Sequence, residues 1–324
     1  MRSCLVDRFG RPVDGLRISI TEACNFSCLY CHREGSSGPT RGVEMRPDEI
    51  GRIVKVASEL GITKVKLTGG EPTLRPDVVD IVAAISGTGG ITDLSMTTNG
   101  SRLADLAYEL AEAGLMRVNV SLDTLDPDKF RFITGRDSLD EVLAGVEAAL
   151  DAGLRPLKLN MVLLKGLNDR EVWDMLAFAR ARGAILQVIE LVKAPGVPPG
   201  VYEAYHVGLD ALEAELAKMA LRTVRRQLQD RPKFFLPGGA EVELVKPVHN
   251  SSFCAKCRRL RLTADGRLKP CLMRPDAVDL LGPLRAGADD GVLKAVFRRA
   301  VELREPFYKP RASGKANTPL SRPP

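Results

Sequence analysis

A regular alternation of short apolar strands and amphipathic helices runs from residue 15 to residue 190. Period-two apolar patterns predict the strands, and helical apolar spacing with proline or acidic residues in the first turn predicts the helices between them. The predicted strands cover residues 15–20, 64–68, 94–97, 117–121, 157–163 and 186–190, and the predicted helices cover residues 47–60, 76–85, 103–113, 139–152 and 169–182. Such alternation specifies a parallel sheet covered by helices, closed or partly closed into a barrel of about six units.

A proline- and glycine-rich run interrupts this alternation shortly after residue 193. We predict a barrel domain over residues 1–193 and an α+β extension over residues 194–303. The segment 304–324 has few large apolar residues, which predicts a mobile tail. The predicted fold class is therefore α/β, an incomplete (βα)6 barrel of the TIM type with a C-terminal α+β extension. Within the extension, glycine-containing turns around residues 237–239 and 264–266 predict two hairpins.

Six of the seven cysteines fall into two tight groups. The groups are Cys24, Cys28 and Cys31, and Cys254, Cys257 and Cys271. Thiols stay reduced in the cytosol, so such groups indicate metal or cluster ligands more readily than disulfides. Three thiolates suit an iron–sulfur cluster with one open iron, which can bind a small molecule. A plain electron-transfer cluster, or zinc with His32 or His249 as fourth ligand, is the alternative.

Short polar and glycine-rich motifs follow the first four predicted strands. They are the loop that carries the first cysteine group, Thr68-Gly69-Gly70-Glu71-Pro72, Thr97-Thr98-Asn99-Gly100 and Ser121-Leu122-Asp123. In parallel βα folds the carboxyl ends of the strands meet at one face, and that face carries the active site. Ordinary turns and local caps are the alternative for each motif taken singly. Their coincidence at one face predicts a single site.

The charge balance bears on the partners and the location of the chain. A formal net charge of +6 and a pI near 9.0 favour polyanionic partners, although a basic surface without a partner has the same composition. No apolar run approaches the roughly 20 residues of a membrane helix, and the first residues lack a signal-peptide pattern. We therefore expect a cytoplasmic protein without a membrane partner.

The first cysteine group resembles the cluster signature of the radical S-adenosylmethionine superfamily. The resemblance is carried by the spacing Cys24-x3-Cys28-x2-Cys31, by Tyr30 before the last cysteine, and by the Gly-Gly-Glu-Pro motif. It implies that the three cysteines hold a 4Fe–4S cluster and that S-adenosylmethionine binds its open iron and is cleaved to a 5′-deoxyadenosyl radical. It also implies a set of cofactor-binding residues: Tyr30, Gly70, Ser121 and Val192, the last at a position where methionine is common.

The second cysteine group narrows the resemblance. Cys254-x2-Cys257-x13-Cys271, with the enclosed segment 258–266, is similar to the GTP 3′,8-cyclase family, which begins molybdenum cofactor biosynthesis. The resemblance implies a second 4Fe–4S cluster whose open iron binds the guanine of GTP. It implies a radical reaction that converts GTP to 3′,8-cyclo-7,8-dihydro-GTP. Arg259 and Arg261 alternate on one strand face, so both can point at one ligand.

Several basic residues coincide with GTP-binding positions of that family. The resemblance implies GTP contacts by Arg17, Lys66, Thr97, Lys158, Arg259 and Arg261, with catalytic roles for Arg17, Lys66, Arg259 and Arg261. Each basic residue taken singly is compatible with a solvated or ion-paired surface role. Together they predict an unpaired cationic cluster inside the barrel, which is costly unless an anion binds there. Gln187 stands where arginine is common.

The resemblance also implies partners, and two other classes of protein stay open. The implied partners are a reductant protein such as a flavodoxin or ferredoxin and, downstream, a cyclic pyranopterin monophosphate synthase. A homodimer is compatible with the sequence, and no nucleic acid is expected. The first alternative is a peptide-modifying radical enzyme with an auxiliary cluster. The second is an iron–sulfur or zinc protein that binds nucleic acid through its basic surface.

Overall fold

The computed structural model describes residues 4–32 and 44–309. Within them the strands are β1 (Leu5–Val6), β2 (Pro12–Val13), β3 (Gly15–Ser19), β4 (Lys64–Thr68), β5 (Asp93–Thr98), β6 (Arg117–Ser121), β7 (Lys158–Leu163), β8 (Ile185–Glu190), β9 (Arg222–Arg225), β10 (Pro232–Phe235), β11 (Glu241–Val245), β12 (Arg259–Leu262), β13 (Arg267–Lys269) and β14 (Val278–Asp279). The helices are α1 (Pro47–Glu59), α2 (Val78–Ser86), α3 (Leu103–Glu112), α4 (Pro127–Thr134), α5 (Leu139–Asp151), α6 (Val172–Ala181), α7 (Val201–Tyr205), α8 (Asp210–Met219), α9 (Ser251–Ala255), α10 (Leu281–Arg285) and α11 (Asp290–Glu302).

Six parallel strands, β3 to β8, form the centre of the main sheet in chain order. Helices α1, α2, α3, α5 and α6 connect them and cover the outside. In α1 the fully buried residues Ile50, Ile53, Val54 and Ala57 follow helical spacing, so one face of the helix packs on the core. The predicted incomplete βα barrel is confirmed.

The C-terminal extension continues the barrel sheet at both edges. Strand β11 pairs in parallel with β8, with Glu243 opposite Gln187. Strand β12 pairs in parallel with β3, with Arg261 opposite Arg17. Eight neighbouring strands are thus parallel, and antiparallel strands extend the sheet beyond β11 and β12. The extension therefore lengthens the wall of the barrel at both edges.

Both predicted hairpin turns are present. Strands β10 and β11 are antiparallel across a short 3-10 turn at Pro237–Gly239. Strands β12 and β13 are antiparallel across the turn at residues 263–266, in which Gly266 adopts a φ of 73°. This second turn returns the chain so that Cys271 lines the same cavity as Cys254 and Cys257.

Helix α4 was not predicted from the sequence, although its boundaries carry clear signals. Asp126 caps the helix: its Oδ1 accepts hydrogen bonds from the backbone N–H groups of Asp128 and Lys129 at 2.9 and 3.0 Å. Proline follows at the first helical position, and Gly135 ends the helix with a φ of 72°. The helix is short, which hides its apolar period in the sequence.

Arg304, the first residue of the predicted mobile tail, is packed into the fold. Arg304 is 1% exposed and pairs with the buried Asp7, with 3.0 Å between Nη1 and Oδ2. A buried arginine requires such a partner. Because Asp7 supplies it, the polar composition of the segment that begins at Arg304 does not indicate mobility at this residue. Residues 310–324, the remainder of the predicted tail, lie outside the described residues.

Candidate active site

The barrel encloses a cavity of about 460 Å³, and all eight parallel strands contribute to its lining. One inward side chain from each strand illustrates this: Arg17, Lys66, Thr97, Asn119, Lys158, Gln187, Glu243 and Arg259. Alternate residues of a strand face the same side of a sheet, so every strand can present polar side chains inward while its apolar residues face the helices. The volume lies within the range of small-molecule sites.

The cavity lining is strongly cationic. Nine lysine and arginine side chains and three carboxylates contribute to it. The cations are Arg17, Lys66, Arg117, Lys158, Arg226, Arg231, Lys233, Arg259 and Arg261, and the carboxylates are Asp93, Glu190 and Glu243. A concave site with this excess of positive charge concentrates anions. Much of the excess positive charge of the chain is thus concentrated at this cavity.

All six residues expected to contact GTP line this cavity: Arg17, Lys66, Thr97, Lys158, Arg259 and Arg261. Lys66 Nζ donates to Asn119 Oδ1 at 2.9 Å, and Arg17 Nη2 donates to Thr68 Oγ1 at 3.3 Å. Burial, reinforced by nearby Arg117 and Arg17, lowers the pKa of Lys66 well below its ordinary value. An anion bound beside Lys66 would raise the pKa of Lys66 again. The individual roles stay predictions.

Lys158 is not an unpaired cation, contrary to the expectation from the sequence. Its Nζ pairs with Oε2 of Glu243, a carboxylate that is 1% exposed. Burial lowers the pKa of Lys158 to about 8, and Glu243 opposes this change. Strand β11 joins β8 only in the folded protein, so the sequence did not indicate that Glu243 faces Lys158. The only available signal was a carboxylate within a strand of buried apolar residues.

The loop of the first cysteine group is held by the end of α4. The backbone N–H of Ser27 donates to the carbonyl of Thr134 at 2.8 Å, and that of Leu29 donates to the carbonyl of Ile133 at 2.9 Å. These carbonyls belong to the last turn of the helix, where no partner within the helix remains for them. Helix α4 therefore fixes the backbone on both sides of Cys28.

A buried carboxylate joins three of the strand-end motifs. Glu71 accepts hydrogen bonds from Thr98 Oγ1 at 2.6 Å and from the backbone N–H of Asn99 at 2.5 Å. Asn99 Nδ2 in turn donates to Asn25 Oδ1 in the cysteine loop at 2.8 Å. The Gly-Gly-Glu-Pro motif, the Thr-Thr-Asn-Gly motif and the cysteine loop thus form one connected network, as their placement at one face predicted.

Gly70 lies directly against the cysteine loop. Its backbone N–H donates to the carbonyl of Thr21 at 2.8 Å. A Cβ atom at position 70 would lie 2.2 Å from the carbonyl oxygen of Ala23, much closer than any van der Waals contact. Only glycine allows the two backbone segments to approach this closely.

Gly70→Ala is expected to displace the cysteine loop and to lower the iron content of the first site. The clash involves backbone atoms, which cannot rotate away, so we expect a loss of stability of about 1–3 kcal/mol. Iron content after anaerobic reconstitution and the thermal unfolding midpoint measure both effects. Gly89→Ala is the matched control, because nothing lies within 4 Å of a Cβ there. Equal iron contents in the two variants would contradict this account.

The first cysteine group has the donor chemistry of an iron–sulfur site. Burial raises the pKa of the Cys28 thiol, and the charges of Asp123, Cys31 and Cys24 raise it further. Three neighbouring thiolates therefore require a cationic metal group to stabilise them. Within residues 4–32 and 44–309, no three His, Cys, Asp or Glu side chains are grouped to hold a metal ion. A 4Fe–4S cluster instead binds each thiolate at a different iron atom.

The expected cofactor-binding residues divide into two sets. Tyr30 and Val192 line the cavity, whereas Gly70 and Ser121 do not, although both follow or end strands at the same face. The Tyr30 hydroxyl donates to Asp123 Oδ2 at 2.5 Å. Burial raises the pKa of Asp123 to about 6. The sequence indicated Asp123 only as part of a strand-end motif, and the structure shows that it orients Tyr30.

The second cysteine group lines a smaller cavity of about 90 Å³ that adjoins the large one. Val192, Arg259 and Arg261 contribute to both cavities. The large cavity extends on its other side to Tyr30, beside the first cysteine group. One continuous site therefore runs from the residues on either side of Cys31 to the second group, the arrangement that the resemblance implied. Cys254, Cys257 and Cys271 bring the same three-thiolate chemistry as the first group.

Two buried arginines hold the loop of the second cysteine group. Arg11 Nη1 donates to the carbonyl of Cys254 at 2.9 Å, and Arg304 Nη2 donates to the carbonyl of Cys257 at 2.6 Å. Both arginines pair with Asp7 Oδ2. Burial would raise the pKa of Cys257, but Arg304 and other nearby groups outweigh it and lower that pKa. Sequence reasoning missed this arrangement, because its members lie at opposite ends of the chain.

The fold and the site together define a radical S-adenosylmethionine barrel. The family model described as "Radical SAM superfamily" matches residues 18–179, and "Molybdenum Cofactor Synthesis C" matches residues 184–310. A "Probable GTP 3',8-cyclase" of Thermococcus kodakarensis is 51% identical over 94% of this chain and 100% of its own. The protein of the same description from Pyrococcus abyssi is also 51% identical, over 94% of this chain and 99% of its own. The chain belongs to the GTP 3′,8-cyclase family of the radical SAM superfamily.

Solved structures share the fold at low sequence identity. Streptococcus suis SuiB bound to S-adenosylmethionine superposes with a TM-score of 0.62 and 17% identity, covering 90% of this chain and 69% of SuiB. SuiB bound to its precursor peptide SuiA gives a TM-score of 0.63 and 16% identity, covering 88% of this chain and 66% of SuiB. At this level of identity the similarity concerns the fold alone.

Proposed function

We propose that this protein is a GTP 3′,8-cyclase that converts GTP to 3′,8-cyclo-7,8-dihydro-GTP, the first step of molybdenum cofactor biosynthesis. The observation that carries the proposal is the cation-lined cavity between two groups of three cysteines. A triphosphate is a small polyanion, and it matches both the volume and the charge of this cavity. The similarity to relatives described as GTP 3',8-cyclases supports the same substrate.

The cysteine groups are proposed to hold two 4Fe–4S clusters, Cys24, Cys28 and Cys31 the first and Cys254, Cys257 and Cys271 the second. With S-adenosylmethionine bound, the first cluster would pass one electron from the reductant protein to S-adenosylmethionine, whose cleavage would give a 5′-deoxyadenosyl radical and methionine. The protein contributes binding and orientation, since the cofactor supplies the difficult chemistry. Tyr30, Gly70, Ser121 and Val192 are the proposed S-adenosylmethionine contacts.

The cationic residues of the barrel are proposed to orient GTP. Lys66 and Lys158 lie on the inner wall and suit the phosphates as charged donors. Arg259 and Arg261 line both cavities, so they can direct the nucleoside toward the second cysteine group. Arg17 stands opposite Arg261 in the adjoining strand and completes this set. Enclosure by eight strands limits access of water to the reacting atoms.

The location and the partners are part of the proposal. None of the helices in the described ranges has the length and apolar character to cross a membrane. We place the enzyme in the cytoplasm, where a flavodoxin or ferredoxin would supply electrons. A cyclic pyranopterin monophosphate synthase would then consume the product.

The proposed function predicts that 5′-deoxyadenosine formation depends on GTP. Anaerobically reconstituted and reduced protein should release 5′-deoxyadenosine from S-adenosylmethionine together with the cyclised nucleotide, and omission of GTP should remove most of both. Chromatography coupled to mass spectrometry measures the two products. ATP is a matched control with the same triphosphate and a different base. Equal yields of 5′-deoxyadenosine with and without GTP would reject GTP as the substrate. A peptide-modifying enzyme would give that result.

A further inference from the structure

The β9–β10 hairpin reaches the large cavity through a strained turn. Gln229 and Asp230 both adopt positive φ values, 60° and 52°, which residues other than glycine rarely do. The turn is held in place because Gln229 N–H donates to the carbonyl of Lys256 at 3.0 Å, and Asp230 Oδ1 pairs with Lys256 Nζ at 2.5 Å. Strain of this kind persists where surrounding contacts impose it, often at functional sites.

This turn places two arginines beside the buried carboxylate of β11. Arg231 Nη1 lies 3.1 Å from Glu243 Oε1, and Arg226 Nη1 lies 3.2 Å from Glu243 Oε2. Lys158 Nζ pairs with the same Oε2 atom. A single carboxylate thus faces three cations. Their attraction outweighs burial and keeps the pKa of Glu243 well below its ordinary value.

Within the described residues, three cations of this cluster, two of them buried, share the one carboxylate of Glu243. Arg231 is 7% exposed, and its Nε has no hydrogen-bond partner among the described residues. Buried cations in excess of their counter-anions are costly, and a bound anion removes that cost. All four side chains of the cluster line the large cavity. A guanidinium offers a planar fork that matches phosphate oxygens.

We propose that Arg226 and Arg231 bind the phosphate chain of the nucleotide, and that Glu243 is the counter-anion that holds them in position before the nucleotide arrives. The inference rests on the proposed function, because it takes GTP as the ligand. It assigns a substrate-binding role to the C-terminal hairpin, in addition to the residues on the barrel strands. Lys158, Arg226 and Arg231 together offer more hydrogen-bond donors than the carboxylate of Glu243 can accept. Phosphate oxygens would then supply the additional acceptors.

The test compares Arg226→Gln and Arg231→Gln with Arg225→Gln. Arg225 is the matched control, because it lies on the same hairpin and contacts the turn at Asp230, but its main partner is Glu213 and it does not line the cavity. Dissociation constants for GTP, GMP and guanosine are measured anaerobically on the reconstituted protein. We expect each cavity variant to bind GTP about 10- to 100-fold more weakly and guanosine unchanged, and Arg225→Gln to match the wild type.

The outcomes separate this inference from the proposed function. If wild-type protein does not bind GTP, the proposed function fails. If wild-type protein binds GTP and both cavity variants bind GTP as tightly as the wild type does, only the proposed role of the hairpin fails. An equal loss of affinity for GTP and guanosine would also overturn it, because a general structural defect weakens both. Should Arg231→Gln fail to fold, Arg226→Gln decides, since its side chain is 43% exposed.

Discussion

Replacing Cys28 with alanine is expected to remove the first cluster and to reduce 5′-deoxyadenosine formation to the level of cluster-free protein. Cys28 lies between the two residues whose backbones are fixed by α4, so its own backbone is held on both sides. With two thiolates left, the group lacks the three-cysteine set that leaves one iron open. Iron and sulfide content, the absorbance of the reconstituted protein and 5′-deoxyadenosine yield measure the loss.

Cys4→Ala is the matched control for this experiment. Cys4 is an exposed cysteine outside both groups, and its thiol contacts the carbonyl of the next residue, Leu5. The control should retain wild-type iron content and activity. Wild-type 5′-deoxyadenosine yield from Cys28→Ala would show that the first group is not the radical-generating site.

Replacing Cys271 with alanine is expected to spare the first cluster but to abolish GTP turnover. Cys271 lines the smaller cavity, away from the loop that α4 and Glu71 hold, so the first group keeps all its contacts. Iron content should fall from about eight to about four atoms per chain. Product analysis should show no cyclised nucleotide, while slow cleavage of S-adenosylmethionine without product persists.

Cys4→Ala is also the control for the second site, where GTP turnover is the measurement that decides. Cys4→Ala should keep the full iron content and full turnover. Undiminished GTP turnover by Cys271→Ala would refute a substrate-binding role of the second group. Loss of both clusters in that variant would instead contradict the structural independence of the two cysteine loops.

These two effects are expected to be the largest because each variant is expected to lose a whole cluster. Loss of one cation from the cavity leaves eight others in place, so a single arginine variant weakens binding without abolishing it. The two cysteine groups also act at different stages. The first is proposed to generate the radical, and the second to place the base that the radical chemistry modifies.

Local signals in the sequence were sufficient for most elements of the barrel. Strand β4 and strand β6 have the predicted bounds, and the cysteine loop follows a strand as expected. Helix α4 was missed although Asp126, Pro127 and Gly135 mark its ends, because eight residues are too few to display an apolar period. The sequence therefore did not show what supports the first cysteine loop, because that support comes from α4.

Long-range pairing accounts for the remaining differences. Position 187 is one example of such pairing. Gln187 is neutral, and the residue opposite it in the folded chain is Glu243, on strand β11 of the C-terminal extension. Glu243 then gathers Lys158, Arg226 and Arg231 around one carboxylate. Nothing in the spacing of these residues along the chain indicated that they meet.

The sequence by itself determined the alternating βα architecture, the two groups of three cysteines and the placement of the motifs at one face, because periodicity and ligand spacing are local properties. Only the tertiary structure decided that β11 and β12 extend the barrel wall, that Glu243 neutralises part of the cationic cluster, and that Asp7 joins Arg11 to Arg304 behind the second group. These contacts join residues up to 297 positions apart. They depend on how the strands and helices assemble, which no local pattern specifies.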